Sequence, residues 1–150
     1  MIKLENIKKS FGHVQVLHDV SLTVNDGDVV VILGPSGSGK TTLLRTINFL
    51  EKADAGKLTI GNKIVDLHSA RKKEILEIRR KTAFVFQNYS LFANKTALEN
   101  VMEGLVTARG ISKSIARERA IEELKKVGLI DKKDFYPSEL SGGQQQRVGI

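Results

Sequence analysis

The spacing of apolar and polar residues changes along this chain, and the changes divide it into elements. Residues 1–33 read as strands: 14–17 and 20–24 alternate at period two, and Asn25-Asp26-Gly27 is a turn signal. Val29-Val30-Val31-Ile32-Leu33 then forms an unbroken apolar run, which predicts a strand buried on both faces, as in a parallel sheet. Residues 42–50 read as a helix. Residues 57–60 and 63–65 flank Gly61-Asn62, a hairpin signal. Residues 69–81 read as a charged helix, and Thr82-Ala83-Phe84-Val85-Phe86 as a second buried strand ending at Gln87. From Thr96 onward the pattern is helical. Thr96-x-x-Glu99 is a capping box, and Ala120, Ile121, Leu124 and Val127 recur at helical spacing. No internal repeat or low-complexity linker interrupts the chain.

Between the first apolar run and the first helix lies Gly34-Pro35-Ser36-Gly37-Ser38-Gly39-Lys40-Thr41-Thr42. It fits G-x-x-x-x-G-K-[ST], and strand, glycine loop and helix in that order are the setting such a phosphate-binding loop requires. Glycines let backbone N–H groups turn inward around β- and γ-phosphates. The helix N-terminus adds partial positive charge, Lys40 adds a full one, and the Thr41 hydroxyl suits Mg²⁺. The plain alternative is a glycine-rich turn with no ligand.

A second glycine-bearing segment is Leu140-Ser141-Gly142-Gly143-Gln144-Gln145-Gln146-Arg147. Ser141-x-x-Gln144 is also a capping box, with Pro137 and Ser138 as the entry turn. A helix cap has no need of two consecutive glycines in its first turn, where they weaken the helix. They leave a surface that a phosphate can approach closely.

Composition changes this picture little. The 150 residues are one domain's worth of chain, and 41% hydrophobic residues are enough for a core. The absence of cysteine excludes disulfides and Cys-based zinc sites and fits a reducing compartment. No apolar stretch suits a signal peptide or a membrane span, so a soluble cytoplasmic protein is expected. The net charge of +7 raises the question of nucleic acid. The basic residues are scattered or lie on helical faces such as Arg71-Lys72-Lys73 and Arg79-Arg80-Lys81, without interleaved aromatics, so no nucleic-acid partner is expected.

The glycine loop, Gln87 and the segment at residues 140–144, in this order, resemble the ATP-binding subunits of ABC transporters over the whole chain. The connecting text Phe86-Gln87-Asn88-Tyr89-Ser90-Leu91-Phe92, Thr96-Ala97-Leu98-Glu99-Asn100-Val101 and Phe135-Tyr136-Pro137-Ser138-Glu139-Leu140 is similar to polar amino-acid importers, cystine uptake systems among them. The resemblance implies an α/β fold. This would be a P-loop NTPase (RecA-like) core with an antiparallel β subdomain and an α-helical signature subdomain, divided as residues 1–87 and 88–150. It implies ATP and Mg²⁺ as cofactors and ATP hydrolysis powering amino-acid import. Gly34, Ser36, Gly37, Ser38, Gly39, Lys40, Thr41 and Thr42 would hold the phosphates. Phe11 would stack on the adenine, with Val16 beside it; an ordinary hairpin Phe is the alternative. Gln87 would reach Mg²⁺, with Thr41, and the attacking water, since an amide both donates and accepts. A solvent-facing polar residue at a strand end is the alternative there.

The same resemblance implies a head-to-tail pair of subunits. Ser141, Gly142, Gly143 and Gln144 of one subunit would close over the ATP of the other. Residues after Gln87, up to about Glu103, with Tyr89 and Phe92 exposed, would grip a helix of the integral-membrane permease. The aromatics could instead pack within the helical part. An extracytoplasmic substrate-binding protein would act indirectly, and the subunit would sit on the cytoplasmic face of the membrane. The family pattern continues with a second apolar strand ending in Asp, then Glu, and later a histidine. None of these lies within residues 1–150, so an incomplete core, a truncated protein and a chain unable to hydrolyse ATP by itself are expected. Two further readings stay open: a non-hydrolytic nucleotide-binding or dimerisation module, and a non-transport ABC ATPase.

Overall fold

The computed structural model describes all residues, Met1–Ile150, and the chain divides into two compact units, Met1–Phe84 and Val85–Ile150. The first unit holds a four-stranded antiparallel sheet in the order β2-β1-β3-β4. Its strands are β1 (Ile2–Phe11), β2 (Val14–Val24), β3 (Ala55–Ile60) and β4 (Lys63–Asp66). Helices α1 (Lys40–Ile47) and α2 (Lys72–Lys81) complete the unit. Gly61-Asn62 makes the β3–β4 hairpin turn as the sequence predicts, with Ile60 paired to Lys63. Leu4, Ile7, Leu17, Leu43, Leu58, Val65, Leu67 and Ile78 form the core.

The register of β1 departs from plain alternation, and the departure positions a functional region. Leu4 and Ile7 are both buried though three residues apart, an odd spacing that would put them on opposite faces of a regular strand. A register shift between them, with Asn6 at φ 54°, restores the phase. Across the pair Asp19 sits at φ 62° and accepts a 2.7 Å hydrogen bond from the Asn6 amide, holding the irregularity in place. Burial then continues at Lys9, two residues beyond Ile7.

Neither predicted buried strand forms. Residues 29–33 and 82–86 carry no strand, and the apolar run expected to be buried is largely open: Val29 is 91% exposed, Val31 72% and Leu33 85%. Ile32 alone of that run packs on the core. The physical reason is non-local. A doubly buried strand is held by flanking strands and covering helices, and the antiparallel sheet present here does not extend to these segments.

The second unit is helical: α3 (Ala97–Glu103) runs into a π-turn at Gly104–Ala108, followed by α4 (Lys113–Lys126) and α5 (Gly142–Gly149). Short 3₁₀ turns at Ile130–Lys132 and Pro137–Glu139 link α4 to α5. Ala120 and Leu124 of α4 pack with Ala97, Leu98, Leu129, Leu140 and Val148. The capping box expected at Thr96 forms: the Glu99 N–H donates to the Thr96 hydroxyl, and the Thr96 N–H donates to the Glu99 carboxylate at 2.8 Å. No helix is long and apolar enough to cross a membrane.

Candidate functional site

The glycine loop occupies residues 34–39 and delivers the chain into α1. Gly34, Gly37 and Gly39 all have positive φ, at 153°, 81° and 89°, a region side chains rarely enter. Gly39 is constrained twice. It is buried at the N-cap of α1, and a Cβ there would stand 3.0 Å from the Leu17 and Val16 side chains and 3.1 Å from the Val16 carbonyl oxygen. Strand β2 therefore lies directly behind the loop, where only a glycine fits.

No side chain caps α1 and no acidic residue lies in its first turn. Its leading N–H groups and dipole are thus offset by no carboxylate. The Lys40 ammonium folds back over the loop and donates to the carbonyl oxygens of Gly34 and Pro35 at 2.8 and 2.7 Å. Ser36, Ser38 and Thr41 are exposed around it, and Thr42 is half-buried. The set is rich in donors: an ammonium, uncapped amides and hydroxyls. It fits a polyphosphate. A metal ion is a different matter, because no group of three or more His, Cys, Asp or Glu side chains converges anywhere in the chain. Of the residues in this unit, Thr41 fits a cation held mainly by phosphate oxygens.

Phe11 ends β1 at the hairpin, 48% exposed and paired with Val14. Val16 is half-buried, packing on the core and on the loop at Gly39. The first unit therefore brings Val16 to the glycine loop, with Phe11 on the same hairpin. Sequence reasoning passed over the group next to Phe11. Lys9 is 9% exposed, and its ammonium lies 4.8 Å from the centre of the Phe11 ring. That ammonium is held by the Lys52 carbonyl at 2.7 Å and the Glu51 carboxylate at 2.8 Å. Those partners lie more than forty residues away, so no local pattern announces them.

Gln87 and the 140–144 segment belong to the second unit. Gln87 is exposed. Ser141 caps α5 in the predicted box: its N–H donates to the Gln144 side-chain oxygen at 2.8 Å, and its hydroxyl accepts from the Gln144 N–H at 3.4 Å. The two glycines turn out to differ. A Cβ on Gly142 would meet the Tyr89 hydroxyl at 2.5 Å, so packing asks for a glycine there. A Cβ on Gly143 would meet only the end of Arg147, at 4.0 Å. The expectation that both glycines need a ligand to explain them is therefore corrected for Gly142. Tyr89, 38% exposed, is partly engaged with α5, whereas Phe92 is 52% exposed with the Lys95 ammonium over its ring. Nearby, Lys95, Glu99, Met102, Glu103, Val106 and Lys113 line an open groove of about 280 Å³. Hydrogen bonds from Lys95 and then Thr107 hold the Glu103 carboxyl below the usual carboxylate range.

The family model described as ABC transporter matches residues 17–150. The chain is 55% identical over its whole length to the L-cystine import ATP-binding protein TcyN of Bacillus subtilis (strain 168), covering 58% of that protein. It is 50% identical to a probable amino-acid ABC transporter ATP-binding protein of Haemophilus influenzae, covering 60% of it. The chain thus spans about three-fifths of the length of these curated relatives. Among solved structures it is similar to the dimeric post-hydrolysis state of the ATP-binding cassette MJ0796 bound to ADP and Pi. The TM-score is 0.84 and the identity 40%, over 99% of this chain and 67% of that one. The family match over residues 17–150, the identity along the whole chain and the shared fold together show that the chain belongs to the ABC transporter ATP-binding family.

Proposed function

We propose that this protein is the ATP-hydrolysing subunit of an ABC importer for amino acids. The observation that carries the proposal is the glycine loop: three positive-φ glycines, an uncapped α1 and the Lys40 ammonium held over them. The relatives described as cystine and amino-acid import proteins support the substrate class. In this reading the loop from Gly34 to Thr42 binds the ATP phosphates, Phe11 and Val16 take the base, and Thr41 would ligate Mg²⁺. The metal, when bound, neutralises charge that develops on the phosphates. Lys40 does the same from the protein side, and Gln87 orients the attacking water. Ser141, Gly142, Gly143 and Gln144 serve a second subunit's nucleotide. Phe92 and its surroundings meet membrane permease subunits on the cytoplasmic face of the membrane, with a substrate-binding protein acting indirectly outside.

The test is Lys40→Ala in the full-length protein. Steady-state phosphate release is expected to fall at least about a hundredfold, the scale of losing a charge-stabilising donor. Turnover that survives the change would defeat the proposal.

A second reading applies to residues 1–150 on their own, and the exposure of Val29, Val31 and Leu33 favours it. The run that leads into the loop is not braced by the sheet. The isolated 150-residue chain is accordingly a weak, non-hydrolytic nucleotide binder. Calorimetry with ATP and Mg²⁺ beside a phosphate-release assay checks this: micromolar affinity with sustained turnover would refute it.

A further inference from the structure

The most buried cation in the first unit has no role in the reading above. Lys9 lies on the core face of β1 because the irregularity at Asn6 re-phases the strand. A long cationic side chain is almost never this buried unless it is paired. Here it is: the Glu51 carboxylate lies at 2.8 Å, the Asp54 carboxylate at 3.9 Å, and the Lys52 carbonyl accepts at 2.7 Å. The backbone at the end of β1 is tied to the same segment. The Ser10 N–H donates to the Asp54 carboxylate at 2.6 Å, and the Asp54 N–H donates to the Lys8 carbonyl at 2.8 Å. The segment of residues 51–54 lies just beyond α1, the helix that carries Lys40. The ammonium so anchored stands 4.8 Å from the Phe11 ring centre, within cation–π range.

We propose that Lys9 is a positioning residue for the nucleotide base, which it serves by fixing and polarising Phe11. The inference rests on the reading of Phe11 as the base platform. The ammonium attracts the π-electrons of one ring face and holds the ring in one orientation, so the ring is ordered before the ligand arrives and loses less freedom on binding. It also makes the opposite face electron-poorer, which suits stacking with an electron-rich purine. Its anchors place the platform in register with the end of α1, so that the base site and the phosphate loop share one rigid frame. This role concerns the base alone, and a ligand of phosphates only should not sense it.

The experiment compares the affinity of a non-hydrolysable ATP analogue with that of inorganic tripolyphosphate in the full-length protein. Phe11→Ala is expected to weaken the analogue and leave tripolyphosphate unchanged. Lys9→Gln keeps a donor for the Lys52 carbonyl but removes the charge. It is expected to weaken the analogue by about threefold to tenfold, with tripolyphosphate within twofold, the scale of a partly desolvated cation–π contact. Lys9→Arg is expected to restore binding. Glu51→Gln is the milder second variant, which leaves the cation but loosens its anchor, and about a twofold loss is expected. If Lys9→Gln and Glu51→Gln spare the analogue while Phe11→Ala weakens it, the role of Lys9 is wrong and the platform stands. If Lys9→Gln weakens both ligands equally, Lys9 is only a structural strut. If Phe11→Ala itself spares the analogue, the platform reading falls, and the role of Lys9 with it.

Discussion

The chain carries two glycine-rich helix starts, and they solve opposite problems. At α1 the N-cap is Gly39, in a left-handed conformation, with no side-chain cap and a lysine as the first helical residue. At α5 the N-cap is Ser141, and a reciprocal capping box with Gln144 satisfies the leading donors. The first leaves its backbone amides for a ligand and adds a cation. The second is complete without one, and its accessible feature is a smooth surface at Gly143. A site that binds phosphate within its own subunit needs the first design. A surface that closes over another subunit's nucleotide fits the second. Two similar sequence signals thus lead to different physical devices.

Substitutions at the glycines sharpen the contrast. The largest effect is expected for Gly39→Ala. A non-glycine residue at φ 89° costs about 1–3 kcal/mol, and the added methyl meets Val16 and Leu17 at 3.0 Å. Denaturant unfolding should show that loss, and ATP binding should fall with it. A variant as stable as the parent would mean that the loop is not pinned by β2. A smaller effect of opposite sign is expected for Gly143→Ala. An alanine in an open helical position should stabilise the fold by about 0.5–1 kcal/mol. ATP-driven dimerisation should nonetheless weaken, because the methyl stands on the surface assigned to the partner's nucleotide. If the variant dimerises as tightly as the parent, the signature surface does not work as described.

What the sequence revealed was local. The hairpin at Gly61-Asn62 and the capping boxes at Thr96 and Ser141 depend on residues within four positions of one another, and all three formed. The runs at 29–33 and 82–86 depend on strands elsewhere, and neither became a strand. Their apolar character records what the segments suit, and pairing is decided by neighbours. The same distinction holds at the site. The glycine loop was visible as a motif. The β2 residues that force a glycine at position 39, the Tyr89 hydroxyl against Gly142 and the Lys9–Glu51 anchor all join residues far apart in sequence. The irregularity at Asn6 hid Lys9 further, because strict alternation misassigns every residue beyond it.

The most direct measurement of the central claim is a mixing experiment with full-length subunits. A Lys40→Ala subunit has a disabled phosphate loop and an intact signature. A Ser141→Arg subunit has the reverse, with bulk and positive charge where a partner's γ-phosphate would sit. Each variant alone should bind and hydrolyse ATP in no closed pair. Mixed, they should form pairs holding one intact composite site, with ATP-dependent dimers on sizing and partial phosphate release. No recovery on mixing, or full dimerisation of the Ser141→Arg variant alone, would contradict the division of labour between the two helix starts.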